Sequence, residues 1–503
     1  MDDRTPVIIG AGQVSERVGE PGYLERSPMD LAGDALKAAM ADAHAKKSLA
    51  PALDTVAAIR QFEISATRYT APFGHSNNTP RSAARRAGAN PDRAILEVVG
   101  GQGPQRLVGE LASEIAAGRS KMAAIVGSEA ISTMRALLAR GETRDWSETR
   151  RGSLEDRGSG YEGVVDMTAI RHGVAAPIGG YALAENVRRE RLGLSLADYR
   201  TEIGKLFAPF TQVAARNPHS AAPTARTVAE LAELTERNRL IAEPYGRLVV
   251  SRDQVNQGAA IILASVAEAR RLGVPEDRWV HIHGVADCAE PAMLTRASIE
   301  QSPAAVAAIS TALEVSGVSW ENITATDLYS CFAIPVFNLL DAFGLDRDDP
   351  RGWTLTGGLP FFGGAGNNYV GHSIAEAVAR CRANPGGMVL VGANGGIMSK
   401  YAAGVYSTAP ADWRTSRWQS LEKIKPQWRV LDTLDGEAAA ETFTIQPGKG
   451  GEVATLVARA GDARVMANSS DPAICAALRG GKVAGRPVRI EDDESGVNRF
   501  WFL

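Results

Sequence analysis

The stretch Glu97-Val98-Val99-Gly100-Gly101-Gln102-Gly103-Pro104-Gln105 decides how the chain folds. It reads as a strand running through glycines into a helix. Downstream, Leu107, Val108, Leu111 and Ile115 fall on one helical face, and Gly118 is placed to end that helix. The next apolar run, Met122 to Val126, reads as a strand that stops at Gly127.

The same order recurs far along the chain. A helical pattern from His372 to Ala383 leads into Met388-Val389-Leu390-Val391-Gly392. Earlier units match as well. Ser27-Pro28-Met29-Asp30 opens a helix with Ser27 as N-cap and Pro28 at the first helical position. Ser302-Pro303 opens another, in which Val306 and Ala307 match Leu31 and Ala32. A duplicated α/β fold accounts for this order, with chance similarity between αβ units as the alternative. Pro6-Val7-Ile8-Ile9 reads as a buried strand ended by a turn at Gly10-Ala11-Gly12. A dinucleotide site there is weakly supported, because position 15 is Ser and no acidic residue follows at the right strand end.

Between the halves lies a long Arg- and Glu-rich stretch, with helical patterns at Tyr181 to Arg191 and Leu196 to Phe207. An insertion of this kind usually caps a site. Arg188 and Arg189 are candidates for a phosphate, although a solvated helix face is the simpler reading. After Tyr406, Trp413, Trp418 and Trp428 punctuate a polar connector. Strand patterns follow at Glu441 to Ile445, Glu452 to Ala458, Arg464 to Asn468 and Pro487 to Ile490, with a hairpin-like turn at Gly461-Asp462.

The composition narrows the classes of function. The 503 residues, with 51 glycines, suit several layered domains. A net charge of −3 from 55 basic and 58 acidic side chains favours neither nucleic acid nor an anionic membrane as partner. Cys288, Cys331, Cys381 and Cys475 form no CxxC pair, so neither a metal site nor a disulfide framework is expected. No signal-peptide core or membrane-spanning run is legible, and a cytoplasmic location is expected.

At its glycine-rich landmarks the chain resembles the thiolases, closest to the sterol-carrier-protein type and to the bacterial thiolase-like proteins of type 1. The resemblance spans roughly residues 5 to 405. It implies a thiolase N-terminal half at 1–130, a helical loop domain at 131–250 and a C-terminal half at 251–408, each half a mixed sheet with helices on both faces. Residues 409–503 are then an additional β domain, barrel-like and similar to oligonucleotide/oligosaccharide-binding folds.

In the family, the loop entering the central helix carries the nucleophilic cysteine, whose pKa a helix N-terminus lowers. Here Gly100 stands at that position. Asp327-Leu328-Tyr329-Ser330-Cys331-Phe332 resembles the His-Asp-Cys-Phe box, with Tyr329 and Ser330 replacing the His and Asp. Gly357-Gly358-Leu359-Pro360-Phe361-Phe362-Gly363-Gly364-Ala365-Gly366-Asn367-Asn368 resembles the loop whose His activates the nucleophile, and Gly364 stands in its place. The nearest histidine, His372, lies about two helical turns away if that segment is helical. Leu390-Val391-Gly392-Ala393-Asn394-Gly395-Gly396 resembles the Cys-x-Gly turn but holds no cysteine.

Losing a nucleophile or its base costs a rate factor on the order of 10⁶, so ordinary acyl-cysteine chemistry is not expected. The resemblance implies a CoA thioester as ligand, with CoA or acyl-CoA contacting Gly100, Gly101, Gln102, Ser330, Gly363, Gly364, Gly366, Asn367, Asn368 and Asn394. Two readings stand beside binding alone. One is an acyltransferase rebuilt on Cys331 or His372 with Tyr329. The other is a non-catalytic scaffold that docks a protein partner through its C-terminal domain, as a monomer or dimer.

Overall fold

The computed structural model describes residues 2–66, 70–161, 166–413, 417–493 and 496–503. The first half contains β1 (Pro6–Ser15), α1 (Pro28–Asp42), β2 (Thr55–Ala58), β3 (Arg93–Leu96), α2 (Gly103–Ala116) and β4 (Met122–Ala130). Two long insertion helices follow, α3 (Pro177–Arg191) and α4 (Leu196–Arg216), and then β5 (Asn256–Ser265). The second half contains β6 (Val280–Ala289), α5 (Pro303–Ser316), β7 (Ile323–Leu328), α6 (Ile334–Phe343), α7 (Tyr369–Ala383), β8 (Met388–Gly395) and β9 (Lys400–Ser407).

The duplication is written in the strand pairing. In the first half the order is β1-β5-β4-β2-β3, with β5 antiparallel to both neighbours and β2 parallel to β4. In the second half it is β6-β9-β8-β7, with β9 antiparallel to both neighbours and β7 parallel to β8. The halves join where β1 meets β6 antiparallel, at Val7↔His281. Ser27 caps α1 through a reciprocal capping box with Asp30, as its spacing predicts.

Two glycine readings change. Gly10-Ala11-Gly12 does not end β1; the strand continues through it to Ser15. A Cβ at Gly10 or Gly12 would overlap the backbone of α1 at Ala39 and Ala35, so these glycines let the helix lie directly on the strand. Gly127 likewise lies inside β4, where a Cβ would sit 2.5 Å from the Asn368 carboxamide carbon.

The solvated-face reading of α3 is also overturned. Arg188 and Arg189 are both buried. Arg188 pairs bidentately with Asp341 at 2.9 Å and lies over the Phe337 ring, while Arg189 binds Asn186 Oδ1 and the Leu194 carbonyl, both at 2.9 Å. α3 is an interior helix with partners on every side. Its Glu185 accepts from the Tyr199 and Tyr245 hydroxyls, and burial pushes its carboxyl up to about 7.

The C-terminal strands are longer than their sequence pattern: β10 (Gly436–Gly448), β11 (Gly451–Ala460), β12 (Ala463–Ser469) and β13 (Pro487–Asp492). Helix α8 (Pro472–Arg479) and strand β14 (Asn498–Phe502) complete the domain. β10 pairs with both β11 and β13, β11 with β12, β13 with β14, and β14 meets β12 in parallel at Asn468↔Arg499. Five strands thus close on themselves around Phe443, Leu456, Val465, Ile490 and Phe500, with Leu478 of α8 in the same core. This is the strand order of an OB-type barrel.

The barrel is bolted to the α/β body rather than tethered to it. Asn186 of α3 donates to the carbonyls of Glu243 at 2.9 Å and Phe443 at 3.0 Å. His172 donates through Nδ1 to the Thr168 carbonyl at 2.8 Å and accepts the Asn498 N–H at 3.1 Å. Arg464, 0% exposed, pairs with Glu441 at 2.7 Å and reaches the carbonyls of Leu294 and Arg296 at 3.0 and 2.5 Å. The connector is part of the joint, since Trp418–Ser420 pairs in parallel with Val285–Asp287 of β6. Among the described residues, no helix is long and apolar enough to cross a membrane.

Removing Arg464 leaves Glu441 paired with Arg459 at 2.7 Å but takes the donor from the buried carbonyls of Leu294 and Arg296, at a cost of about 1–3 kcal/mol. Arg464→Ala is therefore expected to lower the free energy of unfolding in urea by that order, with Trp428, whose ring lies 5.1 Å from the Arg464 guanidinium carbon, at the altered joint. A loss under about 1 kcal/mol would contradict the role given to this joint.

Candidate functional site

The loop between β3 and α2 is fixed from below by charge. Glu97 is fully buried and its carboxylate is held by Arg106 at 2.9 and 3.1 Å and by Arg157 at 2.7 Å. Three residues on, Gly100 has φ +138°, a conformation that disfavours any side chain. Its N–H donates to Asn367 Oδ1 at 3.0 Å, and Asn367 Nδ2 donates to the Arg60 carbonyl at 2.7 Å and Ser65 Oγ at 3.3 Å. One carboxamide from the second half thus ties down two loops of the first.

Gln102 covers Gly100. A Cβ at Gly100 or at Gly395 would overlap Gln102 Oε1, so the glutamine amide occupies the space a side chain at position 100 would enter. At Gly101 a Cβ would lie 2.6 Å from the Tyr329 hydroxyl and 2.5 Å from the Asn394 carbonyl oxygen. The N–H groups of Gly101 and Gln102 have no hydrogen-bond partner among the described residues. They stand at the N-terminus of α2, where the helix dipole favours a partial negative charge.

The facing wall begins where β7 ends. Tyr329 packs edge-on against Tyr369, with ring centroids 5.5 Å apart. Asn394 donates to the Tyr181 hydroxyl at 2.8 Å and lies 3.9 Å from Cys331 Sγ, and Tyr181 donates to the Gly396 carbonyl at 2.9 Å. Tyr181 stacks on Phe332 at 4.5 Å between centroids, and Phe332 leans on Tyr245 at 5.0 Å. Burial pushes the Cys331 thiol up to about 12, against the lowering effect of Tyr181, so it is protonated at neutral pH. Burial also raises the Tyr329 hydroxyl above its usual range.

The structure therefore gathers Tyr329, Cys331, Asn394 and Gln102 around Gly100 and Gly101, with Asn367 behind them. Other candidates go elsewhere. Ser330 Oγ faces Gly358, where a Cβ would lie 2.8 Å from it. Asn368 donates to the Gly127 carbonyl at 2.7 Å. A Cβ at Gly366 would overlap the buried carboxyl of Glu129, and one at Gly363 would lie 2.6 Å from Val255. His372 lies within α7, 0% exposed, with Nδ1 bonded to Gln13 Oε1 of β1 at 2.7 Å and its ring against Phe362. Burial pushes its pKa down to about 3, aided by His219. It forms no hydrogen bond with the groups around Gly100.

The sequence reading missed two sets of groups. Tyr181 comes from the insertion and anchors Asn394. Beside the glycine loop, the Gly364 N–H donates to the Arg252 carbonyl at 2.7 Å, and a Cβ at Gly364 would lie 2.9 Å from Ser251 Oγ. The Arg252 guanidinium has no ion-pair partner among the described residues, and its Nε is buried without an acceptor. Burial lowers its pKa, the charges of Arg247 and Arg226 lower it further, and that of Asp253 raises it. Among the described residues the Arg226 side chain, 11% exposed, has one bond, to Glu230 at 3.4 Å. Only spatial proximity, absent from the sequence, makes these three arginines a cluster.

Residues 422–495 match the family described as the thiolase-like protein type 1 additional C-terminal domain. Among solved structures, a monomeric SCP2-thiolase-like protein type 1 from Mycobacterium smegmatis aligns with a TM-score of 0.84 and 42% identity, covering 100% of this chain and 100% of that one. Two more distant structures share the fold. The Ltp2-ChsH2(DUF35) aldolase aligns with a TM-score of 0.57 and 19% identity, over 80% of this chain and 98% of that one. The dimeric peroxisomal thiolase of Saccharomyces cerevisiae gives 0.56 and 15%, over 81% and 98%. No curated protein matches the chain.

A thiol held near 12 is far less ionised at pH 7.5 than a free cysteine near ~8.5. Iodoacetamide should therefore alkylate Cys331 in the native protein at least about a hundredfold more slowly than it alkylates free cysteine. Peptide mapping reads the rate. Labelling as fast as the free amino acid would contradict the protonated, buried thiol.

Proposed function

The chain belongs to the SCP2-thiolase-like proteins of type 1, and from that premise we propose that it binds a CoA thioester without passing the acyl group through a covalent cysteine. The observation that carries this reading is the glutamine amide lying over Gly100 at the entrance to α2. In the resemblance to thiolases this is where a nucleophile attacks. Here the same space presents backbone N–H groups and carboxamides, which bind a thioester oxygen but cannot attack its carbon.

The arginines support the other end of the ligand. Arg252 sits beside Gly364, whose N–H its carbonyl accepts, feels the charges of Arg247 and Arg226, and its guanidinium lacks an ion-pair partner among the described residues. The phosphates of CoA would satisfy them through charge-assisted hydrogen bonds. The rebuilt acyltransferase is less well supported, because Cys331 is held as a thiol and His372 hydrogen-bonds into β1 instead.

Ligand that binds the native state raises its apparent stability by mass action. Thermal melts with CoA, acetyl-CoA and a long-chain acyl-CoA are expected to shift upward by a few degrees, with no thiolysis of acetoacetyl-CoA. Arg252→Ala should weaken binding of the intact ligands roughly tenfold or more. Absence of a shift with every CoA ester would overturn the reading.

A further inference from the structure

The side chain of Gln102 fills the space between two glycines that come from different halves of the fold. Gly100 lies in the loop entering α2, and Gly395 ends β8. A Cβ at either position would overlap Gln102 Oε1. The φ of +138° already calls for glycine at position 100, but the backbone of Gly395 lies outside the left-handed region and makes no such demand. A side chain at 395 would evict the amide and would also meet Gly100 Cα at 3.1 Å.

The amide fills this space without being bound in it. Gln102 stands at the N-cap of α2, where a polar side chain ordinarily accepts from the first N–H groups of the helix, yet it makes no capping bond. It is 3% exposed, and its Oε1 is buried without a donor. The N–H groups of Gly101 and Gln102 have no acceptor among the described residues. An acceptor and two donors of one buried turn therefore all stay unpaired, which costs stability. Two changes would pair them. The amide finds hydrogen bonds in water if it turns outward, and a carbonyl oxygen from outside satisfies the two N–H groups. Both changes need the same space, so they belong to one event.

We propose that Gln102 is an autoinhibitory plug, whose side chain occupies the place of the thioester and turns away when a CoA ester enters. The inference rests on the CoA-thioester reading and adds a closed, unliganded state to it. The N–H pair receives the thioester oxygen, and the Gln102 amide gives way.

A ligand that must displace the plug binds with its affinity reduced by the fraction of open molecules. Titration calorimetry of the full chain with acetyl-CoA compares Gln102→Ala, which empties the space, with Gln102→Met, which keeps it filled. Gln102→Ala is expected to bind roughly tenfold more tightly than the unsubstituted protein, and Gln102→Met within about threefold of it. Without ligand, Gln102→Met should melt at or above the temperature of the unsubstituted protein, because it keeps the packing and removes an unpaired acceptor. Equal or weaker binding by Gln102→Ala, where the unsubstituted protein binds, would overturn the plug while leaving CoA-ester binding intact. Weaker binding by both variants would overturn it too, since the amide would then be a ligand group. A lower melting temperature for Gln102→Met would show the amide held by partners and would also overturn it. If neither the unsubstituted protein nor Gln102→Ala binds acetyl-CoA, the CoA reading falls and takes this inference with it.

Discussion

The carboxamide of Asn367 joins parts of the molecule that are far apart in sequence. Its oxygen accepts from the Gly100 N–H, and its nitrogen donates to the Arg60 carbonyl and Ser65 Oγ. That tie holds the second half's glycine loop against the strand-to-helix turn of the first, beside the bonds from Asn368 to the Gly127 carbonyl and from Lys400 to the Val99 carbonyl. The turn must keep a glycine at φ +138° to make the bond, and the glycine leaves the room that Gln102 fills. The arrangement of Tyr329, Asn394 and Cys331 around that room follows from the two halves being pinned together here. Glu97 with its two arginines supports the same loop from the opposite side.

Close approach between backbones sets the wider architecture. Gly10 and Gly12 let α1 rest on β1, Gly127 admits the Asn368 carboxamide, and Gly109 of α2 gives way to Trp418, whose indole Nε1 donates to Asp287 at 2.9 Å. These contacts bring three layers near enough for polar side chains to bridge them. The barrel extends the same logic outward. α3 is shared between the α/β body and β10, so Tyr181 at one point on the helix faces the site while Asn186, further along, binds Phe443 in the barrel. The C-terminal domain is therefore mechanically continuous with the wall of the site.

The periodic features were legible in the sequence. The helical face of Leu107, Val108, Leu111 and Ile115, the Ser27 cap and the recurrence of helix-strand-glycine units all lead to the observed duplication. The glycines were legible as landmarks but not always as structure. Gly10 and Gly12 look like a turn because a sequence does not show the helix backbone pressing on them. Arg188 and Arg189 look solvated because their partners, Asp341 and Leu194, are set by folding. β14 is brief, and only its closure of the barrel onto β12 reveals its role. Within the site, Gly100 and Gly364 were readable as glycine landmarks, whereas the Gln102 cover, the Tyr181 anchor and the charges around Arg252 depend on contacts set by folding.

The central claim is that the chain binds a CoA thioester at the loop entering α2 without making a covalent bond to it. The most direct measurement is the intact mass of the protein, quenched in acid at short times after mixing with saturating acetyl-CoA and a long-chain acyl-CoA. The account predicts an unchanged mass at every time point. An added acyl mass that forms and decays with turnover, above all one mapping to Cys331, would contradict it.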